Sequence, residues 1–300
     1  MLRCASWKRP ASTSHGHRRL RLEDALASLD LGIRELSSRA MTGRIRVERD
    51  GAIGWLIFDQ IERRNAINAA MWAAIPAAVG ELDGDPDVRL IVMRGAGNVA
   101  FVSGADISEF GEVRNADRAA EYAALNGRAF ASLASVSKPL VAMVHGFCVG
   151  GGTAIALNAD LRYAADDAEF GIPAARLGLG YEAEGIECLA RLVGPSTAAE
   201  MLFTARRYGA EEALRVGLVN AVMPKAELEA FVRDVATTIA ENAPLTLRSA
   251  KLVLRELGRS PELRDARLVE ESIRTCLASA DYREGVQAFL EKRPPKFQGV

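Results

Sequence analysis

The feature that most constrains this chain is a buried strand that gives way to a run of glycines and then to a helix. Leu140 to Val144 reads as the strand, and Cys148-Val149-Gly150-Gly151-Gly152-Thr153-Ala154 leads on into a short helix from Gly151 to about Asn158. The first N–H groups of a helix have no partner within it, and glycine lets another group come close to them. A second run of the same character, Phe101-Val102-Ser103-Gly104-Ala105-Asp106-Ile107, follows a strand over Val88 to Arg94 and offers another N–H near Ala105. Two converging N–H donors make a pocket for an oxygen that becomes negative during reaction, which points to thioester or acyl chemistry. The glycine run fits neither GxGxxG nor GxxxxGK[ST], so dinucleotide and P-loop readings are weak.

The rest of the chain alternates. Arg44 to Phe58 reads as a hairpin turning at Asp50-Gly51. Asn68 is a natural N-cap for a helix running to about Leu82, which Asp83-Gly84-Asp85-Pro86 ends. A long loop rich in Gly, Ser and Asp over 95–112 reads as functional. Ala116 to Ser135 is helical, Asp160 to Ala164 is a strand, and Leu189 to Phe203 holds helical pieces around Gly194-Pro195. From Lys225 to Leu257 and from Pro261 to Leu290 the pattern is helical throughout. Alternation followed by helices predicts a layered α/β body with right-handed crossovers and a helical tail. The tail's apolar positions, among them Leu252, Leu268, Ile273 and Leu277, must cover this body or a neighbouring subunit. The chain shows no strict internal repeat.

Composition excludes several classes. Lys plus Arg number 38 against 39 Asp plus Glu, so no global field draws the chain to nucleic acid or an acidic membrane. Cys4, Cys148, Cys188 and Cys276 are scattered without CxxC spacing, which suits a reducing compartment. Of the three histidines, His15 and His17 lie in a basic leader, so a multi-histidine metal centre is not expected. No apolar stretch reaches the roughly 18 residues that span a bilayer. The first 22 residues carry six arginines and lysines and no acid, which reads as an upstream extension or as a transit peptide. The expected location is the cytoplasm, or the mitochondrial matrix if the leader is a transit peptide. The expected division is a basic leader over 1–40, an α/β core over 41–240 and a helical region over 241–300.

An ordered set of segments resembles the crotonase family, the enoyl-CoA hydratase/isomerase superfamily. The matching pieces are Arg64-Asn65-Ala66-Ile67-Asn68, Asp85-Pro86-Asp87-Val88-Arg89, Ser103-Gly104-Ala105-Asp106-Ile107 and Lys138-Pro139 through Gly152. They continue with Phe170-Gly171-Ile172-Pro173, Leu177-Gly178-Leu179, Ala213 to Val219, Asp281 to Gly285 and Phe289 to Arg293. The resemblance implies a crotonase-type spiral of ββα units with a C-terminal helical trimerisation region, and a homotrimer or dimer of trimers. It implies acyl-CoA substrates and no cofactor beyond the coenzyme A carried by the substrate. By position, Ala105 and Gly151 would supply the two oxyanion-hole N–H groups, and Ala105, Asp106, Ile107 and Ser108 would line the adenine and pantetheine site. Arg64 and Ala66 would sit near the nucleotide end, where Arg64 would offer its guanidinium to a phosphate or remain a solvated surface charge.

The chain also departs from the family. In its hydratases two glutamates flank a water, one three residues after the oxyanion glycine and one after the Gly-x-Pro step. Those positions are Ala154 and Ala174 here. Alanine transfers no proton, and general acid–base help is typically worth 10²–10⁴-fold. The segment from Gly180 to Glu187 holds three carboxylates. Glu182 falls by residue count where some family isomerases place their base and near the nucleophilic Asp of its dehalogenases; Glu184 is the second candidate. Both would equally suit an acidic helix N-terminus. Tyr181 reads as a cap on the acyl pocket, a hydrogen-bond donor or a packing residue. Asp106 reads as a fixer of its loop, Ser103 belongs to no Ser-His-Asp pattern, and His145, Cys148, Trp72 and Tyr163 read as structural. The expected reaction is enoyl-CoA isomerisation through a thioester enolate. The alternatives are hydratase-like or other lyase activity using Glu182 and Glu184, or a catalytically weakened acyl-CoA-binding protein.

Overall fold

The computed structural model describes residues 43–106 and 119–300. The leader, Ile107 and Ser108 lie outside the described residues. β1 (Arg44–Asp50) and β2 (Ile53–Asp59) form the antiparallel hairpin the sequence predicts, turning at Gly51. α1 (Ala69–Gly84) follows, capped by the Asn68 side chain, whose Oδ1 accepts from Met71 N at 2.8 Å. β3 (Leu90–Gly95), β5 (Leu140–Val144), β7 (Leu161–Ala165) and β10 (Ala221–Met223) add to β2 in parallel, giving a six-stranded sheet of order β1-β2-β3-β5-β7-β10.

A second sheet, which the sequence reading missed, lies alongside. It contains β4 (Ala100–Val102), β6 (Phe147–Val149), β8 (Glu169–Gly171) and β9 (Tyr208–Gly209). Each central turn of the chain therefore visits the large sheet, steps into the small one and returns through a helix. The returns are α2 (Ala119–Ser135), α3 (Gly151–Leu157) and α4 (Ala183–Thr204). This is a ββα spiral without a repeated sequence. It corrects one reading in detail: the strand that feeds the glycine run is β6, not β5. Strands of two or three residues carry too little periodicity to register in a sequence.

Burial follows the pleat, whose side chains alternate between faces. Ile53, Trp55, Ile57, Val92, Val141 and Met143 join one core on the face covered by α6 (Lys225–Ala240), which contributes Leu228, Val232 and Ala236. Between α4 and α6 lies the short α5 (Ala210–Arg215). α4 breaks at Gly194, where φ is 77°.

The tail is three helices: α7 (Pro244–Leu257), α8 (Ala266–Ala278) and α9 (Ala280–Glu291). The predicted continuous stretches break at Ala243-Pro244 and at Ser279, whose hydroxyl accepts from Tyr282 N at 3.0 Å to cap α9. α7 docks on its own body. Lys251 Nζ lies 2.6 Å from Asp160 Oδ2 and donates to Lys138 O, while Arg255 donates to Val136 O. α8 buries no residue within the protomer, and Phe289 and Leu290 of α9 are 83% and 75% exposed. Among the described residues no helix is long and apolar enough to cross a membrane.

Candidate active site

The two glycine-containing segments meet. Ile67 N donates to Gly104 O at 2.8 Å and Asp106 N donates to Ile67 O at 2.9 Å, so Ile67 and Ala105 form an isolated parallel bridge. In such a bridge the flanking residues make the bonds, and the middle residue turns its own N–H and C=O the other way. The Ala105 amide consequently faces away from Ile67. On the opposing side, α3 begins at Gly151 without a side-chain cap. A methyl group built on Gly151 would stand 3.8 Å from Ala105 N, so the two amides share one small space. Among the described residues neither N–H donates to a carbonyl outside a helix or strand, and Gly151 is the first residue of its helix, where the N–H has no intrahelical acceptor.

The approach is fixed from behind. Gly150 N donates to Gly171 O at 2.7 Å, and Thr153 Oγ1 donates to both Cys148 O at 2.6 Å and Gly171 O at 3.0 Å. Gly150 itself has φ 57° and ψ −115°, a conformation that side chains with a Cβ avoid. At Gly152 a Cβ would lie 2.0 Å from Val102 O, so only glycine lets α3 start this close to β4. Trp72 of α1 closes the other wall. Its ring atom Cζ2 lies 3.2 Å from the Cβ position of Gly151, and its Nε1 donates to Tyr122 Oη at 3.1 Å. Trp72 was legible only as a core residue; nothing in its spacing tied it to the amide pair.

Asp106 fixes the loop through side chains. Its carboxylate accepts from Gln60 Nε2 at 3.0 Å and from Arg63 Nη1 at 2.8 Å. Ser103 Oγ donates to Arg63 O, which gives the hydroxyl a loop-building task. Ala66 is buried and its N–H donates to Arg63 O. Arg64 takes the left-handed conformation at φ 53°, and its guanidinium stacks over Phe147 at 5.0 Å. Arg207 stacks on the same ring at 5.1 Å but pairs with Glu169. Among the described residues Arg64 pairs with no carboxylate, so its charge is available to an anion near the Ala105 loop.

The carboxylate segment opens α4. Glu182 is its N-cap residue without making a side-chain cap, and Glu184 lies in the first turn. Both are exposed in the protomer, whereas Glu187 pairs with Arg191. Tyr181 differs from them. Burial pushes its phenol well up, and among the described residues its hydroxyl has no hydrogen-bond partner. Ala154 and Ala174 are half-buried.

The remaining candidates are structural. Cys148 is fully buried, and burial drives its thiol far above the range in which a thiolate forms. His145 is buried, its titration lowered first by burial and then by Lys225, and its carbonyl accepts from Phe101 N. Tyr163 packs in the sheet core. Among the described residues no cluster of His, Cys, Asp or Glu could hold a metal ion.

A sequence model described as enoyl-CoA hydratase/isomerase matches residues 48–300. The short-chain-enoyl-CoA hydratase of Clostridium acetobutylicum is 34% identical over 248 residues, covering 82% of this chain and 94% of that protein. The crotonyl-CoA hydratase of Syntrophomonas wolfei is 36% identical, covering 84% and 97%. A crystal structure of an enoyl-CoA hydratase/carnithine racemase from Magnetospirillum magneticum superposes with a TM-score of 0.82 at 33% identity, covering 85% of this chain and 96% of that one. With the matched fold, the chain belongs to the enoyl-CoA hydratase/isomerase family of acyl-CoA enzymes.

Proposed function

We propose that this protein shifts a carbon–carbon double bond along an acyl-CoA chain, holding the intermediate enolate between the N–H groups of Ala105 and Gly151. The observation that carries the reading is the closeness of these two amides, in a chain whose positions 154 and 174 hold only methyl groups. Two preorganised donors stabilise a thioester oxyanion and acidify the neighbouring carbon. Glu182 removes a proton from C2 of a 3-enoyl thioester. The C2–H electron pair enters the carbonyl as a dienolate, and the same carboxyl returns the proton to C4, leaving the 2-enoyl isomer. Glu184 is the second candidate for that shuttle. Arg64 receives a phosphate of coenzyme A, with Ala66, Ser103, Asp106, Ile107 and Ser108 along the thioester's path. No further cofactor is needed for this proton transfer. The tail's apolar faces pack in a homotrimer or dimer of trimers, and the enzyme works in the cytoplasm.

A second reading, hydration or dehydration by Glu182 and Glu184, is supported by the names of the relatives. Exposure of both glutamates in the protomer favours a third, a weakened acyl-CoA-binding protein. One experiment separates all three: 3-enoyl-CoA and 2-enoyl-CoA are offered in deuterated water to the wild-type protein and to Glu182→Gln and Glu184→Gln. Isomerisation that falls 10²–10⁴-fold in one variant, with its oligomeric state retained, supports the proposal. Water addition supports the second reading, and tight binding without turnover the third.

A further inference from the structure

We propose that the cavity between α7, α8 and the connection from α2 into β5 is a second binding site, and that it takes a phosphate group. The cavity measures about 370 Å³. Arg248, Lys251 and Arg255 of α7 line it, together with Ser137 and with Ser249 and Ser272, and among the described residues no carboxylate does. Steps of three and four along a helix place residues 248, 251 and 255 on one face. The cavity shares no residue with the amide pair. It lies where the chain enters β5, whereas the glycine run follows β6, after β5 has ended.

Each of the three cations keeps bonding capacity. Lys251 is 6% exposed, and its ammonium meets Asp160 Oδ2 at 2.6 Å and Lys138 O at 2.7 Å, which uses two of its three N–H donors. Arg255 is half-buried and donates to the carbonyl of Val136, with no carboxylate paired to it among the described residues. Arg248 is exposed and makes no hydrogen bond or ion pair among the described residues. The other carboxylate whose charge reaches Lys251 and Arg255 is Asp83, which already accepts from Ser137 N, Ser137 Oγ and Lys138 N. Burial lowers the titration of both Lys251 and Arg255 in spite of Asp83 and Asp160, so the counter-charge within the protein is incomplete. Cations held partly out of water without full pairing cost free energy, and an anion in the cavity recovers it. The hydroxyls of the lining are engaged elsewhere: Ser137 donates to Asp83 and Ser272 to Val269 O. Recognition therefore falls to the cations. Guanidinium forks match phosphate oxygens, and a tetrahedral anion has acceptors enough for two of them and an ammonium at once.

The test is calorimetric titration of the full chain with inorganic phosphate, in a chloride buffer of low ionic strength. It uses the wild type, Arg248→Ala, Arg248→Lys and Arg64→Ala. Because Arg248 makes no bond within the protein, its variants should melt at the wild-type temperature, and a change in binding then reports the site alone. Phosphate should bind the wild type and Arg64→Ala alike. Binding should weaken about tenfold or more in Arg248→Ala, the scale of one charge-assisted hydrogen bond, and recover in part in Arg248→Lys. Phosphate should also raise the melting temperature of the wild type more than that of Arg248→Ala. A parallel titration with ADP identifies the source of the phosphate. Tighter binding than phosphate, lost in Arg248→Ala, supports a nucleotide; equal or weaker binding supports the free ion. No saturable phosphate binding overturns the proposal, and so does binding that Arg248→Ala leaves unchanged. Binding lost in Arg64→Ala but kept in Arg248→Ala also overturns it, and places the anion beside the Ala105 loop instead.

Discussion

Replacing Gly151 by alanine puts the smallest possible obstacle into the amide pair. The new Cβ would stand 3.2 Å from Trp72 Cζ2 and 3.8 Å from Ala105 N. An oxygen accepting from both amides needs to sit about 2.9 Å from each nitrogen, in the space the methyl group enters. Trp72 cannot simply withdraw. It is 1% exposed, its Nε1 bonds Tyr122, and its ring packs edge-on against Phe130 at 5.3 Å. Two effects on folding oppose each other. Alanine in place of glycine favours a helix by roughly 0.5–1 kcal/mol, and the crowded contact costs a similar amount, so the melting temperature should move by only a few degrees. Catalysis has no such compensation. Loss of one oxyanion donor lowers kcat by about 10²–10³-fold, or about 2.7–4 kcal/mol. The assay is steady-state turnover of the preferred enoyl-CoA beside thermal melting of the same preparation. A folded Gly151→Ala protein with kcat within threefold of the wild type would refute the assignment of this space to the oxyanion.

Two further outcomes follow from the scaffold. Asn68→Ala removes the cap on Met71 N and also the Nδ2 donor that reaches Gln60 Oε1 at 2.9 Å; urea denaturation should show a loss of about 2–3 kcal/mol, above a bare capping loss, because a buried amide oxygen is stranded as well. His145 resists protonation in the fold, so below its ordinary pKa of 6.5 the unfolded chain takes up a proton that the native state does not. Its contribution is complete above pH 6.5 and is lost as pH falls from there through the lowered native value. The stability of His145→Gln should therefore fall less steeply than that of the wild type on acidification below 6.5, measured by denaturation across that range.

Long elements with strong periodicity were legible in the sequence. The hairpin at Asp50-Gly51, the Asn68 cap and the break near Gly194-Pro195 all stand where turn and cap chemistry places them. The close approach of the two glycine-containing segments was legible too, because glycine runs after hydrophobic strands report close backbone contact. The second sheet was hidden, since its strands are two or three residues long and draw their order from neighbours distant in sequence. Trp72 was hidden for the same reason. Its contact with Gly151 joins α1 to α3 across 79 residues, and only the spiral brings them together. The Arg207 stack on Phe147 likewise depends on β6 lying beside β8, whose Glu169 pairs with that arginine.

The bridge between Ile67 and Ala105 has a wider implication. Its two hydrogen bonds are made by main-chain atoms, so the meeting of these two segments does not depend on which side chains stand at positions 154, 174 and 182. A chain built this way can gain carboxylates at positions 154 and 174, where it now carries alanine, without touching that bridge.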